Sequence, residues 1–187
     1  MLDWNSLYSN GLEYADFLER HGTPEHRRRW ADLHAAIALT EPQRELLGRF
    51  TREMHVACLA GAWCGDCVYQ CPILDHIAQA CPRVKVRYWD RDAAPLVASE
   101  LKVCGGSRVP IVVFLSEDLQ EVSRYGDRTL ARYRQMMEQM FGASCPTGLV
   151  LPSGEDLAAV VQDWFDEFER VQWLLRTSPR LRQLHGD

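Results

Sequence analysis

The hydrophobic and polar positions change period several times along the chain, and each change marks an element. Over residues 4–18 the apolar residues Trp4, Leu7, Tyr8, Leu12, Ala15 and Leu18 fall three or four apart, the spacing of an amphipathic helix that Gly22-Thr23-Pro24 closes. A second helix is expected over 25–38, with Trp30, Leu33 and Ile37 on one face. Thr40 reads as an N-cap whose hydroxyl accepts from the first turn, with Glu41 and Pro42 opening a third helix that ends near Phe50. The first quarter therefore reads as all helix.

At Met54 the helical period is lost. Residues 54–60 form a short apolar run stopped by Gly61, which suits a strand buried on both faces. Helical spacing returns over 64–80 through Val68, Leu74, Ile77 and Ala78, with Pro72 as a kink. Residues 84–89 alternate and read as a second strand, and 93–103 as a helix ended by Gly105-Gly106. Two more strands are expected at 109–115 and 120–125, either side of the turn-forming Ser116-Glu117-Asp118, and a helix at 129–141. Parallel strands joined by helices, then an antiparallel hairpin, imply an α/β fold with a mixed four-stranded sheet covered on both sides. After a loop at 142–153 with Pro146, Gly148 and Pro152, a long helix is expected from Gly154. Its apolar face, Leu157, Val160, Val161, Trp164, Phe168, Val171 and Leu175, reads as a packing surface, with a homodimer or partner surface as the alternative. The chain thus divides into a helical N-terminal extension (1–52), an α/β domain (53–142) and a C-terminal helical extension (143–187).

Composition narrows the functional classes. With 187 residues, 47% hydrophobic and 25% charged, the chain is an ordinary folded globule. A net charge of -5 gives no electrostatic case for nucleic acid, and the basic run Arg27-Arg28-Arg29 reads as a solvated helix face. The N-terminal residues lack a secretory pattern and no segment has the roughly 18 apolar residues of a membrane span, so a cytoplasmic location without membrane contact is expected. Seven cysteines are an odd number, so free thiols are expected, and in a reducing compartment a close pair is catalytic or metal-binding rather than structural.

The close pair is Cys64 and Cys67, in Trp63-Cys64-Gly65-Asp66-Cys67, where a buried strand hands over to a helix. That places Cys64 at a helix N-terminus, where unpaired amides and the helix dipole favour a thiolate. A thiolate attacks a disulfide, and a second thiol two intervening residues away can displace the resulting mixed disulfide. Cys64 is thus the expected attacker and Cys67 the resolver. The rival readings are an accidental pair and half of a zinc site. Cys58, Cys71, Cys81, Cys104 and Cys145 supply no second short pair for zinc.

These residues resemble the thioredoxin superfamily. Gly61-Ala62-Trp63-Cys64-Gly65-Asp66-Cys67 is similar to its active-site segment, and residues 71–78, beginning Cys71-Pro72, to the continuation of its redox helix. Arg108-Val109-Pro110-Ile111 is similar to the loop that carries a cis-proline in that family. The likeness spans about residues 53–142, and Tyr125-Gly126-Asp127-Arg128 with the Gly65-Asp66 dipeptide resembles a bacterial branch with helical N-terminal extensions. It implies that Pro110 lies across from Cys64 and that the Val109 backbone pairs with an extended substrate. Trp63, Gly65, Asp66, Val109 and Pro110 are then the implied substrate-binding set. The activity implied is exchange of the Cys64/Cys67 dithiol with disulfides of proteins or small thiols in the reducing direction, with electrons from a separate reductase and no cofactor or metal beyond the redox-active pair. The alternatives are a binding or adaptor module that coordinates a metal or iron–sulfur cluster through the same cysteines, and helical ends that dock a partner under redox control.

Two departures carry expectations. Thioredoxins have proline at the Asp66 position, and the Asp66 charge is expected to oppose a thiolate on Cys64. They have a buried aspartate where Cys58 aligns, so the usual proton relay to the resolving thiol is missing. Cys71, one helical turn beyond Cys67, reads as a packing residue, with interception of oxidised Cys67 as the alternative. Cys104 reads as a surface thiol, with a regulatory disulfide or a third metal ligand as its alternatives. His76 reads as packing, and Asp90 and Asp92 as carboxylates at a strand end without an assigned role.

Overall fold

The structure, a computed structural model, describes residues 2–141 and 154–187. The loop expected over 142–153, and Cys145 with it, lies outside the described residues. A mixed four-stranded sheet forms the centre: β1 (Met54–Ala60), β2 (Val84–Asp90), β3 (Ile111–Leu115) and β4 (Glu121–Gly126), in the order β2-β1-β3-β4. β1 runs parallel to β2 and antiparallel to β3, and β3 pairs antiparallel with β4. The helices are α1 (Trp4–Leu7), α2 (Tyr14–His21), α3 (Pro24–Ala36), α4 (Glu41–Gly48), α5 (Gly65–Ala80), α6 (Pro95–Glu100), α7 (Leu130–Phe141), α8 (Gly154–Thr177) and α9 (Pro179–His185).

The α/β class, the four strands and their mixed pairing are as the pattern predicts. Thr40 caps α4, accepting from the Gln43 amide while the Gln43 side chain accepts from the Thr40 amide. Three helical boundaries differ. The helix expected over 4–18 is broken after Leu7 by a 3-10 turn (Tyr8–Asn10), and Leu12 then exchanges both backbone hydrogen bonds with Tyr88 at 2.9 and 2.8 Å. Leu12 thereby covers the open edge of β2, whose unpaired amides and carbonyls otherwise need partners. The helix expected over 93–103 is only Pro95–Glu100, because Cys104 and Gly105 take positive φ in a tight turn bridged by Val103 and Gly106. The C-terminal segment breaks at Ser178, which caps the separate α9.

Both faces of the sheet are covered, because successive side chains on a strand point to opposite sides. On one face Tyr88 meets Tyr14 and Phe17, Phe114 meets Phe168, and Tyr125 meets Trp164. One residue out of phase, His55 and Trp89 meet Tyr8, and Trp89 also meets Trp4. The buried residues of the N-terminal and C-terminal helices join those of the sheet in one continuous core. All seven residues of the expected apolar face of α8 are buried in it, so that face packs within the chain.

Candidate active site

The candidate site forms where β1 ends and α5 begins. Cys64 is the N-cap of α5, half-buried, with extended backbone angles, and its amide donates to Gly61. Strand β1 delivers the turn rigidly: Arg91 donates its amide to Ala60, and the buried Trp30 indole of α3 donates to the Ala62 carbonyl at 2.9 Å. Gly61 admits the Trp63 ring, since a Cβ there would lie 2.7 Å from it. Trp63 is 41% exposed and carries the Arg91 guanidinium 4.4 Å over its ring.

Cys67 lies one turn into α5 and is fully buried, its sulfur accepting from the Gly61 amide at 3.4 Å. The Cys64 sulfur lies 3.5 Å from the Val109 carbonyl oxygen, so its single thiol proton is offered either to that oxygen or to Cys67. The Val109–Pro110 peptide is cis. Contact between the Cys64 and Cys67 sulfurs enters the ionisation of both. That contact, with burial, raises the Cys64 pKa. Burial also works against an anion on Cys67, but hydrogen bonds from Cys64, Cys71 and the Gly61 amide outweigh it and lower its pKa. The two sulfurs thus hold one proton in common: the first ionisation falls below the ordinary thiol range and the second above it. Titration of thiolate absorbance in the reduced protein is expected to show a first step from this pair near pH 5. In Cys64→Ala that step is expected to move upward, because the surviving thiolate loses a hydrogen-bond donor. A first step unmoved by the substitution would refute the shared proton.

Cys64 opens into a cleft of 460 Å³ lined also by Trp63, Asp66, Arg91, Arg108, Val109 and Arg128, whereas Cys67 does not line it. Trp63, Asp66 and Val109 of the implied substrate set are therefore brought together with Cys64. Pro110 joins them through its peptide with Val109, and Gly65 opens the helix beside Cys64 with open space where a Cβ would stand.

Asp66 corrects an expectation. Its carboxylate is held by Arg128 at 2.5 Å and by Arg132 at 3.2 Å, so two guanidinium groups face its charge, and what remains of it works against an anion on Cys67 rather than on Cys64. Arg128 also binds Asp127 at 3.0 Å, and Asp127 accepts from Arg108 and the Tyr133 hydroxyl. Burial works against the Asp127 charge, but these donors prevail and hold its pKa below the usual carboxylate range. Gly126 brings Asp127 into place: its φ is +130°, and a Cβ there would lie 2.4 Å from the Pro110 carbonyl. In the sequence, Arg108 and Tyr125-Gly126-Asp127-Arg128 stand out only as family likenesses. Their place beside the proline loop and after the last strand was the available signal for this charged wall.

The remaining candidates lie elsewhere. His76 stacks on His34 at 4.1 Å and bonds the His34 carbonyl, so it packs α5 against α3. Asp90 accepts from the Asp92 and Ala93 amides and caps its own turn, while Asp92 pairs with Arg91. Cys104 is exposed, and the cleft lining includes Ser107 and Arg108 of the same loop but not Cys104. Cys71 is fully buried, and its sulfur lies 3.8 Å from that of Cys58.

A sequence model described as thioredoxin matches residues 11–140. Among solved structures, a protein of unknown function from Pseudomonas aeruginosa superposes with a TM-score of 0.72 at 16% identity, covering 91% of this chain and 97% of that one. An HIV epitope scaffold gives a TM-score of 0.65 at 18% identity, covering 89% of this chain and 99% of its own. Mitochondrial thioredoxin 3 from Saccharomyces cerevisiae is 27% identical, with a TM-score of 0.34 over 50% of this chain and 86% of its own. No functionally curated protein matches. The first two likenesses extend the fold over the helical ends, and the family match spans more than two thirds of the chain; the protein belongs to the thioredoxin family.

Proposed function

We propose that the protein is a thiol–disulfide oxidoreductase that reduces disulfides of proteins or small thiols, with Cys64 as attacker and Cys67 as resolver. The observation that carries this reading is that Cys64, at the N-terminus of the redox helix, lines the cleft, while its partner sulfur is buried behind it. A substrate amide that bonds the Val109 carbonyl displaces the Cys64 thiol from it, and the shared proton passes to Cys67. The Cys64 thiolate then attacks one sulfur of the substrate disulfide and expels the other as a thiolate. Cys67 attacks the Cys64 sulfur, releasing the second substrate thiol and leaving the Cys64–Cys67 disulfide. Two electrons have moved to the substrate, and a reductase returns them. Trp63, Gly65, Asp66 and Pro110 shape the rim along which the substrate lies. No helix among the described residues is long and apolar enough to cross a membrane, and a cytoplasmic site of action, where thiols are kept reduced, suits this direction.

The test is a dithiothreitol redox titration of the full chain, with thiols trapped and identified by mass spectrometry. Cys64 and Cys67 are expected to exchange two electrons reversibly as one pair, at a midpoint well below the about -120 mV of a strong oxidant. A midpoint near that value would reverse the direction. A pair that resists oxidation until a chelator is added would replace this reading with the metal-holding adaptor.

A further inference from the structure

The active-site pair does not end the run of sulfurs. Cys64 and Cys67 stand one turn apart on α5, and Cys71 stands one further turn along the same face. Cys71 and Cys67 each act on the other's ionisation across that one turn, and on its other side the Cys71 sulfur lies 3.8 Å from that of Cys58 in the middle of β1. Four sulfurs therefore lead from the cleft to the centre of the sheet, the first half-buried and the other three at 0% exposure. Cys58 and Cys71 are unreachable by any dissolved disulfide. The sulfur that stands next to Cys71 and also takes part in exchange is Cys67.

We infer that Cys58 and Cys71 form a second, internal redox couple that re-reduces the Cys64–Cys67 disulfide, so that one fully reduced chain delivers four electrons rather than two. The inference rests on the oxidoreductase reading above. Once that disulfide has formed, the Cys71 sulfur attacks Cys67. A Cys67–Cys71 bond forms, the Cys64–Cys67 bond breaks, and the Cys71 proton goes to Cys64. The Cys58 sulfur then attacks Cys71, forming Cys58–Cys71 and returning a thiol to Cys67. The active site is again a dithiol, the internal pair is a disulfide, and atoms, protons and electrons balance without an outside reagent. A sulfur–sulfur separation of 3.8 Å needs only a small closure to reach the roughly 2 Å of a bond. Burial, followed by the contacts with Cys58 and Cys67, holds the Cys71 thiol protonated, so the inner exchange is slower than attack at the cleft.

The experiment oxidises the reduced full-length protein with excess hydroxyethyl disulfide, then blocks remaining thiols with N-ethylmaleimide in denaturant at successive times. Chymotryptic cleavage after Leu59, Trp63, Tyr69 and Leu74 puts Cys58, the Cys64/Cys67 pair and Cys71 in three separate peptides. The expected result is a fast Cys64–Cys67 disulfide followed by a slower cross-link between the Cys58 and Cys71 peptides, two disulfides per chain in all. In Cys67→Ala the Cys58–Cys71 cross-link is expected to be lost. Complete Cys64–Cys67 oxidation with Cys58 and Cys71 both blocked as free thiols would overturn the relay alone. A cross-link that forms as fast in Cys67→Ala would overturn its route. Absence of the Cys64–Cys67 disulfide would remove the oxidoreductase reading itself, so the two failures are distinguishable, and the wild-type mapping needs no variant that might misfold.

Discussion

Cys64→Ser is expected to lower the rate of disulfide reduction by at least about 10³-fold, because a serine hydroxyl stays protonated and is a poor nucleophile where the Cys64 thiol can pass its proton to Cys67 and attack as a thiolate. Cys64 lines the cleft and Cys67 does not, so no second sulfur takes its place as first attacker. Cys67→Ser is expected to leave that attack intact and to halt the cycle at the mixed disulfide, since the group that releases the substrate is gone. The measurement is insulin reduction with dithiothreitol as electron source, paired with intact-mass analysis of each variant after exposure to a disulfide. Adducts on Cys67→Ser and none at this site on Cys64→Ser assign the two roles. Adducts that persist at Cys67 in Cys64→Ser would reverse them. Full activity in both variants would remove the pair from the reaction.

The largest expected effect on stability comes from Gln70→Leu, a substitution of similar volume. Gln70 is fully buried on α5. Its amide donates to the Asp127 carbonyl at 2.9 Å and to the Asp66 carbonyl at 3.4 Å, while its oxygen accepts from the Thr129 amide and the Trp164 indole, each at 3.2 Å. Leucine would leave three of these groups buried without a partner. At about 1–3 kcal/mol for each, the expected loss is about 4 kcal/mol, read as a lowered urea midpoint with an unchanged slope. A loss under about 1 kcal/mol would mean that water replaces the amide. The side chain joins α5 to the β4–α7 junction and to α8, so its loss also loosens the wall of Asp127 and Arg128 that faces Cys64.

The reading of Asp66 explains why a local argument misjudges an ionisable site. Along the chain, Asp66 is a negative charge two residues from Cys64, and Coulomb's law alone makes it an opponent of the thiolate. The charges that balance it are Arg128 and Arg132, more than sixty positions away in sequence, brought there by the hairpin and by α7. Leu12 gives the same lesson for secondary structure. Its three- and four-residue spacing with Tyr8 and Ala15 is a sound helical pattern, yet an open strand edge offers two backbone hydrogen bonds, and the chain takes them. Cys71 was legible as a residue on the face of Cys67, because helical periodicity fixes which residues share a face. Its neighbour Cys58 was not, because nothing in a sequence states which strand residue a helix residue meets.

The sequence by itself determined the features that depend on neighbours along the chain. These were the four strands, from their apolar runs and alternation; the start of α4, from the Thr40 hydroxyl; and the placing of Cys64 at a helix N-terminus, from the strand–turn–helix order around Trp63-Cys64-Gly65-Asp66-Cys67. Only the tertiary structure decided what depends on contacts between distant segments: Trp30 bonded to Ala62, the Asp66–Arg128–Asp127 wall, the burial of the α8 face, and the sulfur of Cys58 against that of Cys71. The physical reason is one of range. Periodicity, capping and turn chemistry act within a few residues and are written in order, whereas a balanced charge or a buried sulfur pair exists only once the sheet has set its strands side by side.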